Sequence, residues 1–210
     1  MTKLSVFSSQ VGDVQLQFDT AGNQLSSQAI QAGSASAPGS VKTGGNVSVQ
    51  VNATGQGNAA ATTDTVLFTY ALPANALDVA GRQVTIVAAG TFAANANNKR
   101  VKIWWGTTTQ TVGSAVAGGT LIADSGVVTT SAGGWSGSVQ VSKYGAAGSN
   151  TQIATNAQMA AGTSSLGTAA PVALTATESA VINITVTGSS STTGAAGDVL
   201  GQLLDIAFNN

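Results

Sequence analysis

Single apolar and polar residues alternate along several stretches of this chain, and this period of two constrains its fold more than any other feature. Val101, Ile103 and Trp105 are each separated by one residue, and the ranges 182–186 and 204–208 repeat the pattern with leucine, isoleucine, valine and phenylalanine. Successive side chains of a β-strand point to opposite faces, so each stretch presents one apolar face. The pattern predicts β-strands that are buried on one side.

Turn-forming residues separate these stretches at short intervals, which is typical of a β-sandwich or jelly roll. Pro73 ends one apolar run, because proline cannot donate into a strand ladder. We expect one brief helical piece at 156–161, and otherwise an all-β, jelly-roll-like β-sandwich with an extended N-terminal arm. The predicted strands lie at 14–18, 47–51, 66–70, 83–88, 99–105, 120–123, 134–143, 152–154, 171–176, 180–187 and 203–208.

The first part of the chain differs in composition from the rest. A turn is expected at 19–23, and residues 31–45 are mainly alanine, glycine and serine with Pro38. Small polar residues cannot offset their own ordering entropy, so we expect neighbouring subunits to hold this region in place. The predicted division is an anchoring arm with short strands at 1–60 and a sandwich domain at 61–210.

The residues that most catalytic and metal sites require are scarce. Among 210 residues there is no histidine and no cysteine, and Glu178 is the single glutamate. Without histidine no Ser-His-Asp triad can form, and the usual ligands of transition metals are missing. Eight carboxylates are dispersed without a close pair in sequence, although folding could bring two together for glycoside hydrolysis. We therefore expect that the protein is not an enzyme and that it has no catalytic residues, no cofactor and no metal.

The charge balance and the hydropathy exclude two further classes of partner. Seven basic residues face eight acidic ones, whereas a nucleic-acid-binding protein needs a strongly basic surface. No run of 18 apolar residues occurs, and the first residues lack the apolar stretch of a secretory signal. We expect neither a nucleic-acid partner nor a membrane partner. The uncharged surface favours packing against other subunits, although a neutral soluble monomer is an alternative.

One basic and aromatic cluster is the best candidate for contact with a partner. Lys99, Arg100, Lys102 and Trp104 lie within six residues, a composition suited to a sugar or an anionic surface. The alternative is structural. Trp105 would then belong to the core, and the cations would form the solvated face of an edge strand, where lysine discourages unwanted strand pairing.

Part of the sequence resembles virion proteins of tailed bacteriophages. The resemblance rests on the segment 64–77, which ends in the run Leu72-Pro73-Ala74-Asn75-Ala76-Leu77, on Gly81-Arg82, and on the segment 89–99, which reads Ala-Gly-Thr-Phe followed by asparagines and a lysine. The segment 134–139 and Tyr144-Gly145 are similar to its continuation. The resemblance covers about residues 64–210 and implies a jelly-roll domain in an oligomer, often a trimer.

The resemblance implies a non-enzymatic structural role in the virion. Capsid decoration or cementing, or a head fibre, is the leading hypothesis, with the major capsid protein and further copies of this chain as partners. The protein would be part of the virion, which is assembled in the host cytoplasm. The alternative is a tail fibre or spike module in which Trp104, Lys102 and loop asparagines bind a host surface glycan.

Overall fold

The structure is a computed structural model that describes residues 5–9, 12–16, 29–31, 40–42, 47–129, 133–161, 164–166, 171–190, 192 and 194–209. Every regular element in these ranges is a β-strand, which confirms the predicted all-β class. The strands are β1 (Ser5–Ser9), β2 (Gly12–Leu16), β3 (Ala29–Gln31), β4 (Ser40–Lys42), β5 (Val47–Asn52), β6 (Gln56–Gly57), β7 (Thr65–Leu72), β8 (Gln83–Phe92), β9 (Lys99–Thr107), β10 (Gly118–Asp124), β11 (Gly133–Lys143), β12 (Gln152–Ala161), β13 (Ser164–Leu166), β14 (Val172–Leu174), β15 (Ile182–Ser190) and β16 (Val199–Asn209).

Two antiparallel sheets form the sandwich. The larger sheet has the order β13-β12-β11-β8-β16-β5, with β14 also paired to β12 and β6 to β16, and the smaller has the order β10-β9-β15-β7. The chain crosses between the sheets at β6 to β7, β7 to β8, β8 to β9, β10 to β11, β14 to β15 and β15 to β16. These crossings place the two sheets face to face around a shared core, which confirms the predicted sandwich.

The core lies between the sheets and is built by the predicted alternation. Every second residue of β8 and β9 is buried, and Ile86, Ile103, Trp105 and Ile184 are among the buried side chains. Removing such a side chain from water contributes about 1.5–3 kcal/mol each. A larger residue would not fit at Gly90, where an added Cβ would clash with the Leu200 carbonyl oxygen.

The expected helical piece at 156–161 is wrong, because these residues continue β12. Asn156 has a φ of 53°, and the register of β12 against β11 shifts at this position. The extra residue of this β-bulge changes the spacing of inward-facing residues. Beyond the bulge Ala157, Met159 and Ala161 are buried at a spacing of two, so the strand alternation continues one position out of step with Ala154.

The N-terminal region is described only in part. β1 pairs with β2 and β3 pairs with β4, whereas β5 and β6 pair with β16 at the edge of the larger sheet. The turn expected at 19–23 and most of the segment 31–45 lie outside the described residues. The boundary near residue 60 stays a prediction.

Candidate functional site

The basic and aromatic cluster lies on β9, and the strand period divides its members between two faces. Arg100, Lys102 and Trp104 point outward from the smaller sheet, as predicted, and each is partly exposed. Lys99 points inward with the core residues of the strand. Three of the four candidate residues therefore share a surface.

The assignment of Lys99 to a surface contact is wrong, because its side chain is fully buried at the first position of β9. Its ammonium donates to Asn95 O at 2.7 Å, to Asn95 Oδ1 at 2.9 Å and to Asn97 O at 3.1 Å. Burial lowers the pKa of Lys99, and the nearby charge of Asp198 partly opposes this shift. Lys99 stabilises the loop before β9, and its side chain is not part of the exposed surface of the chain.

Arg100 forms an ion pair across the smaller sheet. Its Nε donates to Asp124 Oδ1 at 2.9 Å, and its Nη2 donates to Asp124 Oδ2, so that the guanidinium holds the carboxylate at two points. Burial alone would raise the pKa of Asp124, but the hydrogen bonds from Arg100 and from the Gly126 N–H lower it. Arg100 is thus committed to an internal partner.

Lys102 and Trp104 are also held by neighbours on the same face. Lys102 Nζ lies 2.6 Å from Asp64 Oδ2 and 5.6 Å from the centroid of the Trp104 ring, within the range of a cation–π interaction. The Trp104 indole N–H donates to Thr187 Oγ1 at 3.0 Å, and Ser189 donates to the other oxygen of Asp64 at 3.0 Å. Only the exposed part of the Trp104 ring is available to a ligand, because its N–H is already donated to Thr187.

The structural alternative for this cluster placed it on an edge strand, and that part is wrong. β9 lies between β10 and β15, inside the smaller sheet.

The loop 108–117 after β9 also reaches the far edge of the smaller sheet, where Ala115 pairs with Thr65 of β7. Because β15 lies between β9 and β7, this loop crosses the outer face of the sheet, and Thr185 and Thr187 of β15 are fully buried.

Two further polar clusters close opposite ends of the sandwich. β8 begins at Gln83, which pairs with Ser142 beside Lys143, and ends at Phe92, which pairs with Val199 beside Asp198. A strand of this length spans about 30 Å. Lys143 and Asp198 therefore belong to different ends of the molecule.

The Lys99 cluster consists of Asn95, Asn97, Lys99 and Asp198. Asp198 accepts hydrogen bonds from Asn95 Nδ2 at 2.7 Å and from Asn97 Nδ2 at 2.8 Å, one on each carboxylate oxygen. Burial would raise the pKa of Asp198, but these hydrogen bonds, one from Ser190 and the charge of Lys99 lower it. The two asparagines thus link a buried cation and a buried anion.

The Lys143 cluster consists of Lys143, Gln152 and Glu178 at the other end. Lys143 Nζ and Gln152 Nε2 each lie 2.7 Å from Glu178 Oε1, and the Lys143 and Glu178 side chains are only 0% and 1% exposed. Burial would raise the pKa of Glu178, but the hydrogen bonds from Lys143 and Gln152 lower it. The loops around the cluster are joined as well, since Asn75 N donates to Glu178 O at 2.7 Å.

This cluster was not predicted from the sequence, although one signal for it was present. Lys143 follows Val139 and Val141 at a spacing of two, so the alternation of β11 places it on the inner face. A lysine at such a position needs a buried partner. Nothing local to Lys143 indicates that the partner is Glu178, which lies 35 residues further along the chain.

Other features of the described chain offer little for catalysis. A shallow cavity of about 160 Å³ on the larger sheet is lined by Val87, Ser136, Gly137, Ser138, Gln158, Met159 and Ala160. Within the residues described above, no three His, Cys, Asp or Glu side chains are grouped so that they could hold a metal ion. No helix in the same ranges has the length and apolar character needed to span a membrane.

Comparisons with known proteins give one structural likeness. No family model and no curated protein matches the sequence. Among solved structures, the chain is similar to the CBM2 module of the evolved Dit of Lactobacillus casei BL23 phage J-1, at 7% identity, with 68% of this chain and 69% of that chain covered and a TM-score of 0.34. A likeness of this extent is no evidence of a shared ligand or a shared position in a virion.

Proposed function

We propose that this protein is a non-enzymatic structural component of a tailed-phage virion, and that it decorates or cements the capsid or forms a head fibre. The observation that carries the proposal is that the charged side chains at the sites above are paired within the molecule. Arg100 pairs with Asp124, Lys102 with Asp64, and Lys143 with Glu178. Groups held in this way are poorly placed to act on an external substrate, because each already has a partner inside the molecule. The resemblance of residues 64–210 to virion proteins supports the same function.

The remaining surface suits assembly through apolar contacts. Among the residues whose side chains the structure describes, six large hydrophobic ones are exposed: Val51, Val79, Val112, Val127, Tyr144 and Val181. Apolar groups at the surface favour protein contacts when they lie close together, and their burial stabilises an interface by about 25 cal/mol per Å². The proposed partners are the major capsid protein and further copies of this chain, in an oligomer that the resemblance suggests is a trimer.

Thermal release of the genome tests the proposal. Particles assembled without this protein should release their DNA at a lower temperature than complete particles, and adding back the purified protein should restore the difference. Tail attachment and particle size serve as controls for general assembly defects. Equal release temperatures for depleted and complete particles, together with no binding of the protein to heads, would overturn the proposal.

The alternative function is a tail fibre or spike module that binds a host surface glycan. The observation that favours it is the partly exposed ring of Trp104 with the Lys102 ammonium beside it, because sugar rings stack on aromatic faces. Trp104→Ala should then abolish binding of the purified protein to host cells. Tyr144→Ala is a matched control, since Tyr144 is an exposed aromatic residue outside this cluster. Undiminished cell binding by Trp104→Ala would exclude Trp104 as the contact.

A further inference from the structure

The Lys143 cluster brings an amine, a carboxamide and a carboxylate together inside the sandwich. Lys143 on β11 and Gln152 on β12 are directly paired across the two strands. Lys143 Nζ and Gln152 Nε2 contact the same oxygen, Glu178 Oε1, each at 2.7 Å. Because both nitrogens contact one oxygen, the distance between Lys143 Nζ and Gln152 Nε2 cannot exceed the sum of these two 2.7 Å contacts. All three residues are buried.

The surroundings of Gln152 fit those of an electrophile. Its side-chain carbonyl oxygen accepts a hydrogen bond from the Ala176 N–H at 3.1 Å, which would stabilise negative charge on that oxygen during attack at Cδ. Its amide nitrogen donates to Ala176 O at 2.9 Å and to Glu178, so the leaving group faces a carboxylate. The carboxamide is thus held between a donor for its oxygen and an acceptor for its nitrogen.

Glu178 has an oxygen that the folded structure leaves without a partner. Oε1 accepts from Lys143 and Gln152, whereas Oε2 is buried and makes no hydrogen bond. An unsatisfied buried acceptor in a native structure calls for an explanation, and a catalytic role is one. This residue is also the only glutamate in the sequence. Its Oε1 is in direct contact with the Lys143 ammonium, so the carboxylate is placed to accept a proton as Nζ attacks. Nζ also donates to Ser149 Oγ at 2.7 Å and to Thr151 Oγ1 at 3.2 Å.

We propose that Lys143 and Gln152 form an intramolecular isopeptide bond with Glu178 as the catalytic residue. Glu178 accepts a proton from Lys143, and the neutral Nζ attacks Gln152 Cδ. The Nζ–Cδ bond forms, the Cδ–Nε2 bond breaks, and the proton passes from Glu178 to the departing nitrogen. The new amide nitrogen loses one further proton through Glu178, so that the departing nitrogen leaves as ammonium and Glu178 is again a carboxylate. The chain loses the mass of one ammonia, and no oxidant, metal or cofactor takes part. The ion pair seen in the structure is the reactant state of this step.

The crosslink would close the loop 144–151 covalently at the end of the β11–β12 hairpin. That end also carries Gly81, whose N–H donates to Lys143 O at 2.8 Å, and Asn75, whose N–H donates to Glu178 O. A covalent tie at this point would secure the end of the sandwich against heat and proteolysis. The inference does not depend on the proposed virion function, and its test needs neither a phage nor a host.

Intact-mass spectrometry of the denatured full-length protein tests the proposal. The wild-type chain should be lighter than its sequence by one ammonia, and fragmentation should identify a peptide pair joined through Lys143 and Gln152. Glu178→Gln and Lys143→Met should both have the full sequence mass. Lys99→Met is the matched control, because Lys99 is the other lysine that is buried among amides, and this variant should still lose one ammonia.

Each possible result of the mass measurement either supports or overturns the proposed crosslink. A wild-type mass equal to the sequence mass, unchanged after prolonged warming, would overturn it, and the cluster would then be a noncovalent ion pair. Loss of one water in place of ammonia would also overturn it, since that product would join Lys143 to Glu178. Ammonia loss that persists in Lys143→Met or maps to another residue pair would refute the assignment. The wild-type measurement remains decisive even where a variant fails to fold.

Discussion

The two ends of the sandwich each contain a fully buried lysine, yet they satisfy its charge in different ways. The Lys99 ammonium is bonded by oxygens of Asn95 and Asn97, which precede it by four and two residues. The Lys143 ammonium contacts the carboxylate of Glu178, which comes from the loop before β15. Lys143 also donates to Ser149 Oγ at 2.7 Å and to Thr151 Oγ1 at 3.2 Å, but its charge is in direct contact with a carboxylate, whereas the Asn95 and Asn97 oxygens at Lys99 are uncharged. Their contributions to stability should differ accordingly.

The largest effect is expected when one partner of the Lys143–Glu178 pair is removed. In chains that have not formed the crosslink, Lys143→Met leaves the Glu178 carboxylate buried without its cation, and such a change costs about 3–5 kcal/mol. The free energy of unfolding in urea, compared with wild-type protein that has its full sequence mass, measures the loss. The double variant Lys143→Met with Glu178→Leu should recover much of it, because no charge stays buried. A double variant as unstable as the single one would show that the charge is not the cause.

A smaller loss is expected at the other end. Lys99→Met would remove the donor for Asn95 and Asn97 oxygens and the cation near Asp198, but Asp198 keeps its hydrogen bonds from both asparagines. We therefore expect a total loss of about 1–3 kcal/mol, the cost of one buried polar group without its partner. Urea unfolding of this variant beside Lys143→Met compares the two ends directly. The partly exposed Lys102→Met provides the baseline for removing a lysine. A greater loss for Lys99→Met than for Lys143→Met would reverse the ranking of the two ends.

Acid should lower the stability that the buried carboxylates contribute at both ends of the sandwich. The folded-state pKa values of Glu178 and Asp198 are lowered, so their contribution to stability is complete above the unfolded values of about 4.3 and 3.9 and is lost as the pH falls through the folded values. The melting temperature measured between neutral and strongly acidic pH should decline less steeply in Glu178→Gln and in Asp198→Asn than in the wild type. Identical slopes in all three proteins would show that other carboxylates control acid unfolding.

The smallest effect is expected for the partly exposed pair on the outer face of the smaller sheet. Arg100 and Asp124 are 35% and 24% exposed in their side chains, and a pair of this kind contributes about 0.2–1 kcal/mol. A double-mutant cycle with Arg100→Ala and Asp124→Ala measures the coupling, and added salt should reduce it. A coupling as large as that of Lys143 and Glu178 would mean that burial does not distinguish the two pairs.

Much of the fold could be predicted from residue patterns. The period of two identified the strands and placed Val101, Ile103 and Trp105 in the core, because the alternation of side chains is a property of the local backbone. The same rule places Lys99 on the inner face, and the error came from grouping it with its neighbours by charge. The pattern failed at Asn156, where a β-bulge adds one residue between the buried Ala154 and Ala157 and so interrupts the alternation.

The candidate site could be predicted only in part. Arg100, Lys102 and Trp104 were found because they lie close together in the sequence and point the same way. Their partners Asp124, Asp64 and Thr187 come from other strands and loops, so the neutralisation of the cluster could not be predicted. Sequence spacing carries no information about which segments the two sheets bring together.

The sequence by itself determined that this chain forms strands with one apolar face, and that it has few residues for proton transfer or metal binding. Only the tertiary structure decided that Lys143 meets Glu178 and Gln152, and that loop 108–117 covers part of the smaller sheet. The physical reason is the range of the interactions. Strand formation depends on neighbouring residues along the backbone, whereas the pairing of buried charges depends on how the sheets stack and which loops meet at their ends.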